Sequence, residues 1–400
     1  MSLIAARMGR IKPSPSSMAS RRARELKAAG RDIIALTAGE PDFETPDHVK
    51  QAVVEAMARG ETRYTAVDGT AELKQAIAAK FKRDNGLDYA PEQIIAASGG
   101  KQIIFNALLA TLDPGDEVII PAPFWVSYPD MTLLAEGVPV LLPTSAEAGF
   151  KLTPGQLEAA ITDRTKWLIL NSPCNPSGAT YDAAELKALA DVLERHPQVH
   201  VLTDDIYEHI LYDGATFATP AAVAPSLYDR TLTMNGVSKA YAMTGWRIGY
   251  AGGPAELIKN MATLQSQSTS GPSSISQAAA VAALNGPQEI VAERTAAFKE
   301  RRDAVAEMLN DAAGLTCRVP EGAFYMYPDC GGLIGRRTPD GKVIQSDQDV
   351  VLYLLDSVGV AVVQGEAYGL SPYFRLSFAA SMDELTEACK RIRSATQALG

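Results

Sequence analysis

Brief apolar runs alternate with helical patterns through the middle of the chain, and no other feature constrains the fold as much. Residues 94–97, 117–120, 167–170, 199–202 and 231–234 are short runs without regular polar alternation. Helical spacing runs from 100 to Leu112 and again over 183–195, where Leu186, Leu189, Val192 and Leu193 share a face. Strands of this kind interleaved with helices predict an α/β fold, with a mostly parallel sheet covered on both faces. Functional groups on such sheets collect at the carboxyl ends of the strands. The stretches 98–102, 171–178, 204–207 and 236–247, together with Trp125, fall there.

Beyond about Gly286 the pattern changes. A charged helix over 288–310 leads into strand-like pieces at 323–327, 360–363 and 373–378, and then a final helix over 382–397. This predicts a smaller α+β domain with which the N-terminal segment packs. The expected division is a large domain, 47–286, and a discontinuous small one, 12–46 plus 287–400. A chain of 400 residues is too long for one comfortable core.

The net charge of −10 argues against nucleic acid or an anionic membrane as partner. No apolar run approaches the length of a membrane span, and no apolar core of a secretory leader precedes a cleavage site. The four cysteines, Cys174, Cys317, Cys330 and Cys389, have no metal or disulfide spacing and read as free thiols of a cytoplasmic protein. His196 and His200 are separated by Pro197, which breaks the helix a metal pair would need, so no metal is expected.

The chemistry centres on Lys239, eight residues before Arg247 in a glycine-punctuated loop after the 230–235 strand. A lysine there can form a Schiff base with an aldehyde cofactor, and an arginine can clamp that cofactor's phosphate. The pair suggests pyridoxal 5′-phosphate (PLP). Taken alone, it reads far more readily as a surface lysine and a structural arginine. Other pieces fit the cofactor. Ser98-Gly99-Gly100-Lys101-Gln102 opens a helix after a strand, where free N–H groups bind phosphate. Asn175, in a loop fixed by two prolines and a glycine, can donate to a phenolate oxygen. A carboxylate at 204 or 205 can pair with a pyridinium nitrogen, and residue spacing does not choose between Asp204 and Asp205. Tyr207 could hydrogen-bond beside Asn175, and Trp125 could stack on a ring. Arg375 stands in an apolar strand, where a buried guanidinium needs an anionic partner, either an internal acid or a substrate carboxylate. Tyr64 has no signal of its own.

With these residues assembled, nearly the whole chain from Lys12 onward resembles the class I aminotransferases of PLP fold type I, and among them the bacterial aspartate aminotransferase branch. The stretches carrying the likeness are 36–43 (LTAGEPDF), 98–102 (SGGKQ), 124–129 (FWVSYP) and 238–247 (SKAYAMTGWR). The resemblance implies that Lys239 anchors the cofactor and shuttles the proton. It gives Asp204 the pyridine nitrogen, Asn175 and Tyr207 the phenolic oxygen, and Trp125 the ring face. Arg247 and the backbone from Gly99 through Gly100 and Lys101 to Gln102 take the phosphate, with Tyr64 reaching the neighbouring subunit of a homodimer. Gly39 and Arg375 take the substrate α-carboxylate, Lys101 its distal carboxylate, and Lys12 occupies a position linked to prephenate use. The implied reaction moves an amino group from L-aspartate or glutamate to a 2-oxo acid such as 2-oxoglutarate, by a ping-pong scheme. The rivals are an aminotransferase preferring prephenate, aromatic or other donors, and a PLP lyase.

Three positions depart from the family pattern. Gly236 stands where many members have serine, Gln364 replaces a common proline, and Ser16-Ser17-Met18 replaces a more aliphatic segment. The last two bear on substrate range.

Overall fold

Seven strands form the central sheet of the computed structural model, which describes residues 3–400. In chain order the strands are β1 (Ile34–Ala35), β2 (Ile94–Ala97), β3 (Glu117–Ala122), β4 (Val138–Pro143), β5 (Thr165–Asn171), β6 (His200–Asp204), β7 (Thr231–Gly236), β8 (Gly249–Gly252), β9 (Tyr325–Met326), β10 (Val360–Ala361), β11 (Val363–Gln364) and β12 (Phe374–Ser377). The large sheet has the order β2-β8-β7-β6-β5-β3-β4. All its pairings are parallel except those of β8, which runs antiparallel between β2 and β7.

The apolar runs become strands because both faces are covered. Ile95, Val118, Ile120, Trp167, Ile169, Leu202 and Leu232 pack on one side with the helices Gly100–Thr111 and Ala255–Ser266. On the other, Ile119, Leu168, Leu170 and Val201 meet Leu186, Leu189 and Leu193 of the helix Ala183–Leu193. That helix starts with a reciprocal capping box between Asp182 and Glu185, which satisfies two otherwise orphaned N–H groups. Two strands escape the sequence pattern. β4 lies at the sheet edge and has no buried residue, and β8 is nearly all glycine and alanine. β8 needs that composition: a Cβ on Gly249 would lie 2.2 Å from the Gly100 nitrogen.

The C-terminal part is built from smaller pieces. β11, β12 and β9 form a three-stranded antiparallel sheet, and β1 pairs in parallel with β10. The expected strand at 323–327 shortens to two residues, and that at 360–363 divides into β10 and β11. The helix Pro15–Ala28 buries Ala23 and Leu26 against Ile33, Leu355 and Ala361. The N-terminal segment thus packs on the C-terminal part of the chain, and the cleft lies between these pieces and the large sheet.

Candidate active site

Strand ends of the large sheet supply one wall of a cleft of about 470 Å³, within the size range of small-molecule sites. Asp204 is the last residue of β6 and Asn171 the last of β5. Asn171 ties the two together: its Nδ2 donates to the Asp204 carbonyl at 2.7 Å, and its Oδ1 accepts from the Asn175 N–H at 2.7 Å. The loop 171–178 is further fixed by cis bonds before Pro173 and Pro176. Lys239 follows β7 at the start of a turn closed by the Met243 N–H on the Ser238 carbonyl.

The geometry separates the two neighbouring aspartates. Asp204 lines the cleft, and its Oδ2 accepts from the Tyr128 hydroxyl at 2.6 Å. Asp205 turns away and accepts from the Thr219 hydroxyl at 2.8 Å. Burial raises the Asp204 carboxyl to about 6, against the Tyr128 hydrogen bond and the nearby Lys239 charge. Tyr128 remains a donor, because burial and the Asp204 charge push its phenol well above the ordinary value. Burial lowers Lys239 to about 8, opposed by Asp204 and reinforced by Arg247. Its Nζ donates to the Gly39 carbonyl at 2.6 Å and lies 5.9 Å from the Tyr207 ring centre.

The opposite wall comes from the N- and C-terminal pieces. Arg375, on β12, is 3% exposed. Its Nη1 donates to Asn175 Oδ1 at 3.0 Å and its Nη2 to the Thr37 carbonyl at 2.6 Å. It lies between the rings of Tyr325 and Tyr368, 4.5 and 5.2 Å from their centres. No acid pairs with it, and its buried Nε has no hydrogen-bond partner among the described residues. Tyr207 shares a hydrogen bond with the Tyr325 hydroxyl at 2.8 Å.

At the phosphate end of the predicted site, Gly100 and Lys101 line the cleft where the helix Gly100–Thr111 begins, and Arg247 lines it too. Gly99 has φ +93°, and a Cβ there would lie 2.5 Å from Arg247 Nη2, so glycine admits the guanidinium. Arg247 itself has the left-handed φ of 56°, a conformation that costs a non-glycine residue about 1–3 kcal/mol. Lys101 Nζ lies 4.9 Å from the Trp125 ring centre, and burial and Arg247 lower its pKa. Gly236 now has a physical account: Ile206 Cδ1 would be 2.9 Å from a Cβ at that position, so its side chain fills the space a serine would need.

Of the residues singled out from the sequence, Lys239, Asp204, Tyr207, Asn175, Trp125, Gly100, Lys101, Arg247, Gly39 and Arg375 share this one cleft. Gly99 and Gln102 lie just behind its wall, with the Gln102 Oε1 accepting from the Ser98 N–H at 2.7 Å. Tyr64 is 98% exposed and outside the lining. Lys12 is exposed and also outside it, and Gln364 pairs with Phe374 across the small sheet. Sequence reasoning did not single out Tyr128, Tyr325, Ser20 or Arg24. Tyr128 carried one usable signal: it lies three residues after Trp125 in the same stretch.

A family model, aminotransferase class I and II, matches residues 31–392. The aspartate/prephenate aminotransferase of Cereibacter sphaeroides is 59% identical over 394 residues, covering 98% of each chain. The structure of the aspartate aminotransferase from Rhizobium meliloti is 58% identical and superimposes with a TM-score of 0.98 over 100% of both chains. The Thermus thermophilus aspartate aminotransferase solved with maleate is 44% identical, with a TM-score of 0.91 over 99% of this chain and 100% of that one. The chain belongs to the class I and II aminotransferases. It is a transaminase with the type I fold of a PLP-dependent family.

Proposed function

We propose that this chain binds PLP and transfers the amino group of L-aspartate or glutamate to a 2-oxo acid such as 2-oxoglutarate, in two half-reactions at one cleft. The observation that carries the reading is Arg375. It is a buried arginine with no acidic partner and an unsatisfied Nε among the described residues, on the wall opposite Lys239 and Asp204. A buried guanidinium in that state is strongly disfavoured unless an anion joins it, and an amino acid's α-carboxylate has the matching bidentate shape.

The residues also fit the cofactor. Asp204 is a carboxylate whose pKa burial raises despite the Lys239 charge, and a pyridinium nitrogen beside it would favour the charged form. Asn175 and Tyr207 stand beside it for the phenolic oxygen, and Trp125 for the ring face. Arg247, with Gly99, Gly100, Lys101 and Gln102 at the helix start, takes the phosphate. When bound, PLP supplies an electron sink for the charge that develops at the substrate α-carbon. The protein's part is positional and protonic. Arg375 and Gly39 orient the α-carboxylate. Lys239 would hold the cofactor, and its Nζ would accept the substrate α-proton as the protein's general base. Its pKa near 8 leaves part of the amine neutral near pH 7.5. Lys101 receives the distal carboxylate.

The dicarboxylate preference rests on Lys101 in the cleft and on the Cereibacter, Rhizobium and Thermus relatives, the last solved with maleate. The further use of prephenate named for the Cereibacter enzyme is the second reading, with Lys12 at the position that the resemblance links to it. We assign the large domain to 47–286 and the small one to 12–46 plus 287–400. The enzyme works as a cytoplasmic homodimer in which exposed Tyr64 reaches the neighbouring subunit's phosphate. Single-turnover half-reactions test the substrate assignment. Loss of the cofactor's absorbance on mixing with aspartate or glutamate should be at least about tenfold faster than with alanine. A fast response to phenylalanine or alanine alone would overturn the dicarboxylate reading.

A further inference from the structure

One face of the N-terminal helix Pro15–Ala28 is polar and turned into the cleft. Ser16, Ser17, Ser20 and Arg24 all line it. At 100° per residue these four positions fall within an arc of about 100°, and the adjoining face carries the buried Ala23 and Leu26. The helix is keyed to the substrate side of the site. Ser20 Oγ lies 2.7 Å from Thr37 Oγ1, and the Thr37 carbonyl accepts from Arg375. Arg24 lies one turn beyond Ser20.

The cations of the cleft differ in how they are held. Arg375 is hydrogen-bonded on two nitrogens, Arg247 donates to the Thr244 carbonyl at 2.9 Å, Lys239 donates to Gly39, and Lys101 rests over Trp125. Arg24 makes no hydrogen bond or ion pair with any described residue, although its neighbour Arg21 pairs with Glu25. A long unpartnered guanidinium on a face of hydroxyls is suited to receive an anion, and poorly suited to an apolar side chain.

We propose that Arg24 is a second distal-carboxylate anchor, specific to the longer of the enzyme's two dicarboxylate partners. The proposal rests on the dicarboxylate reading of this cleft. A two-stage transaminase must accept donor and acceptor in one pocket, and aspartate and glutamate differ by a methylene. Lys101 is a compact charge held over Trp125, so it suits one chain length. The additional methylene carries the distal carboxylate past that point, towards the hydroxyl-bearing helix, where the flexible Arg24 stem adjusts to it.

The test is Arg24→Ala and Arg24→Lys in the holoenzyme, with half-reactions followed for aspartate, glutamate and alanine. Arg24→Ala should raise the glutamate half-saturation concentration about tenfold or more, change the aspartate value less than about threefold, and leave the limiting rates and alanine reactivity near wild type. Arg24→Lys should recover part of the glutamate loss, because it keeps the charge without the fork. Equal losses for all three donors would indicate a structural role and overturn the proposal, as would an unchanged glutamate value. Wild type keeps the two failures apart. If it shows no preference for aspartate or glutamate over alanine, the dicarboxylate reading falls and Arg24 with it. If it shows the preference and Arg24→Ala retains it for glutamate, only the Arg24 assignment falls.

Discussion

The two walls of the cleft are built by different means. The sheet wall places Asp204, Asn175 and Lys239 at the ends of buried parallel strands, tied by Asn171 and Tyr128 through hydrogen bonds of 2.6–2.7 Å. The other wall is assembled from strands of two to four residues and a helix whose cleft-facing residues are only partly buried or exposed. Neighbouring strands and two covered faces hold the first; the strands of the second rest on the C-terminal core around Phe324, Tyr325, Phe374 and Leu376, and its N-terminal helix is held by a small cluster, Leu26 with Ile33, Leu355 and Ala361. Chemistry that tolerates little displacement sits on the rigid wall together with Lys101, and the proposed second selector, Arg24, sits on the helix that can yield. Arg375 bridges the two, bonding Asn175 on one side and Thr37 on the other.

That division predicts the largest loss on the sheet side. Lys239→Ala removes both the covalent anchor and the proton carrier, and steady-state turnover should fall by at least about 10³-fold. Turnover within tenfold of wild type would break the comparison at its centre, by showing that the chemistry does not depend on the sheet wall.

Asp204→Asn sharpens it through pH. A carboxyl raised in the fold from 3.8 to about 6 favours the folded state when protonated. That contribution is complete below 3.8 and is lost as pH rises through about 6. In the cofactor-free protein at pH 8, the neutral amide should therefore be more stable than wild type by about 1–3 kcal/mol. By about pH 4 most of the difference should vanish, as urea unfolding at the two pH values would show. Turnover should move the opposite way, falling by about 10²-fold or more at pH 8, because the amide carries no charge for a pyridinium. A variant less stable than wild type at pH 8 would mean that Asp204 already has a sufficient partner in the empty fold.

The same contrast explains what could be read from the sequence. The strands 94–97, 117–120, 167–170, 199–202 and 231–234 were visible because burial on both faces demands unbroken apolar runs. Their carboxyl ends then located Asp204, Asn175 and Lys239. β8 was invisible because its constraint is close backbone approach, which selects glycine and alanine and leaves no hydrophobic period. Arg375 could be singled out as a charge in an apolar strand. Tyr128 could not be given a partner, since an aromatic in a helix looks the same whether it fills a core or donates to a carboxylate 76 residues away. Arg24 looks like a solvated charge in a basic helix. Its place on the cleft depends on Ser20 meeting Thr37, a contact between segments with no shared pattern.

The smallest expected effect lies on the yielding wall. Leu26 is buried where the N-terminal helix meets Ile33, Leu355 and Ala361. Leu26→Ala should cost about 2 kcal/mol, the low end for a large-to-small change, because the site is near the surface and can partly collapse. With the sheet wall intact, kcat should stay within about twofold while KM for aspartate and glutamate rises a few-fold, the pattern of weakened uniform binding. Proteolysis or hydrogen exchange should show the loosening confined to the first 36 residues and the segment around Leu355. A matching fall in kcat would be the more instructive result. It would mean that the motion of this helix reaches Arg375 through Ser20 and Thr37, so that the wall that selects the substrate also sets how well it is presented to Lys239.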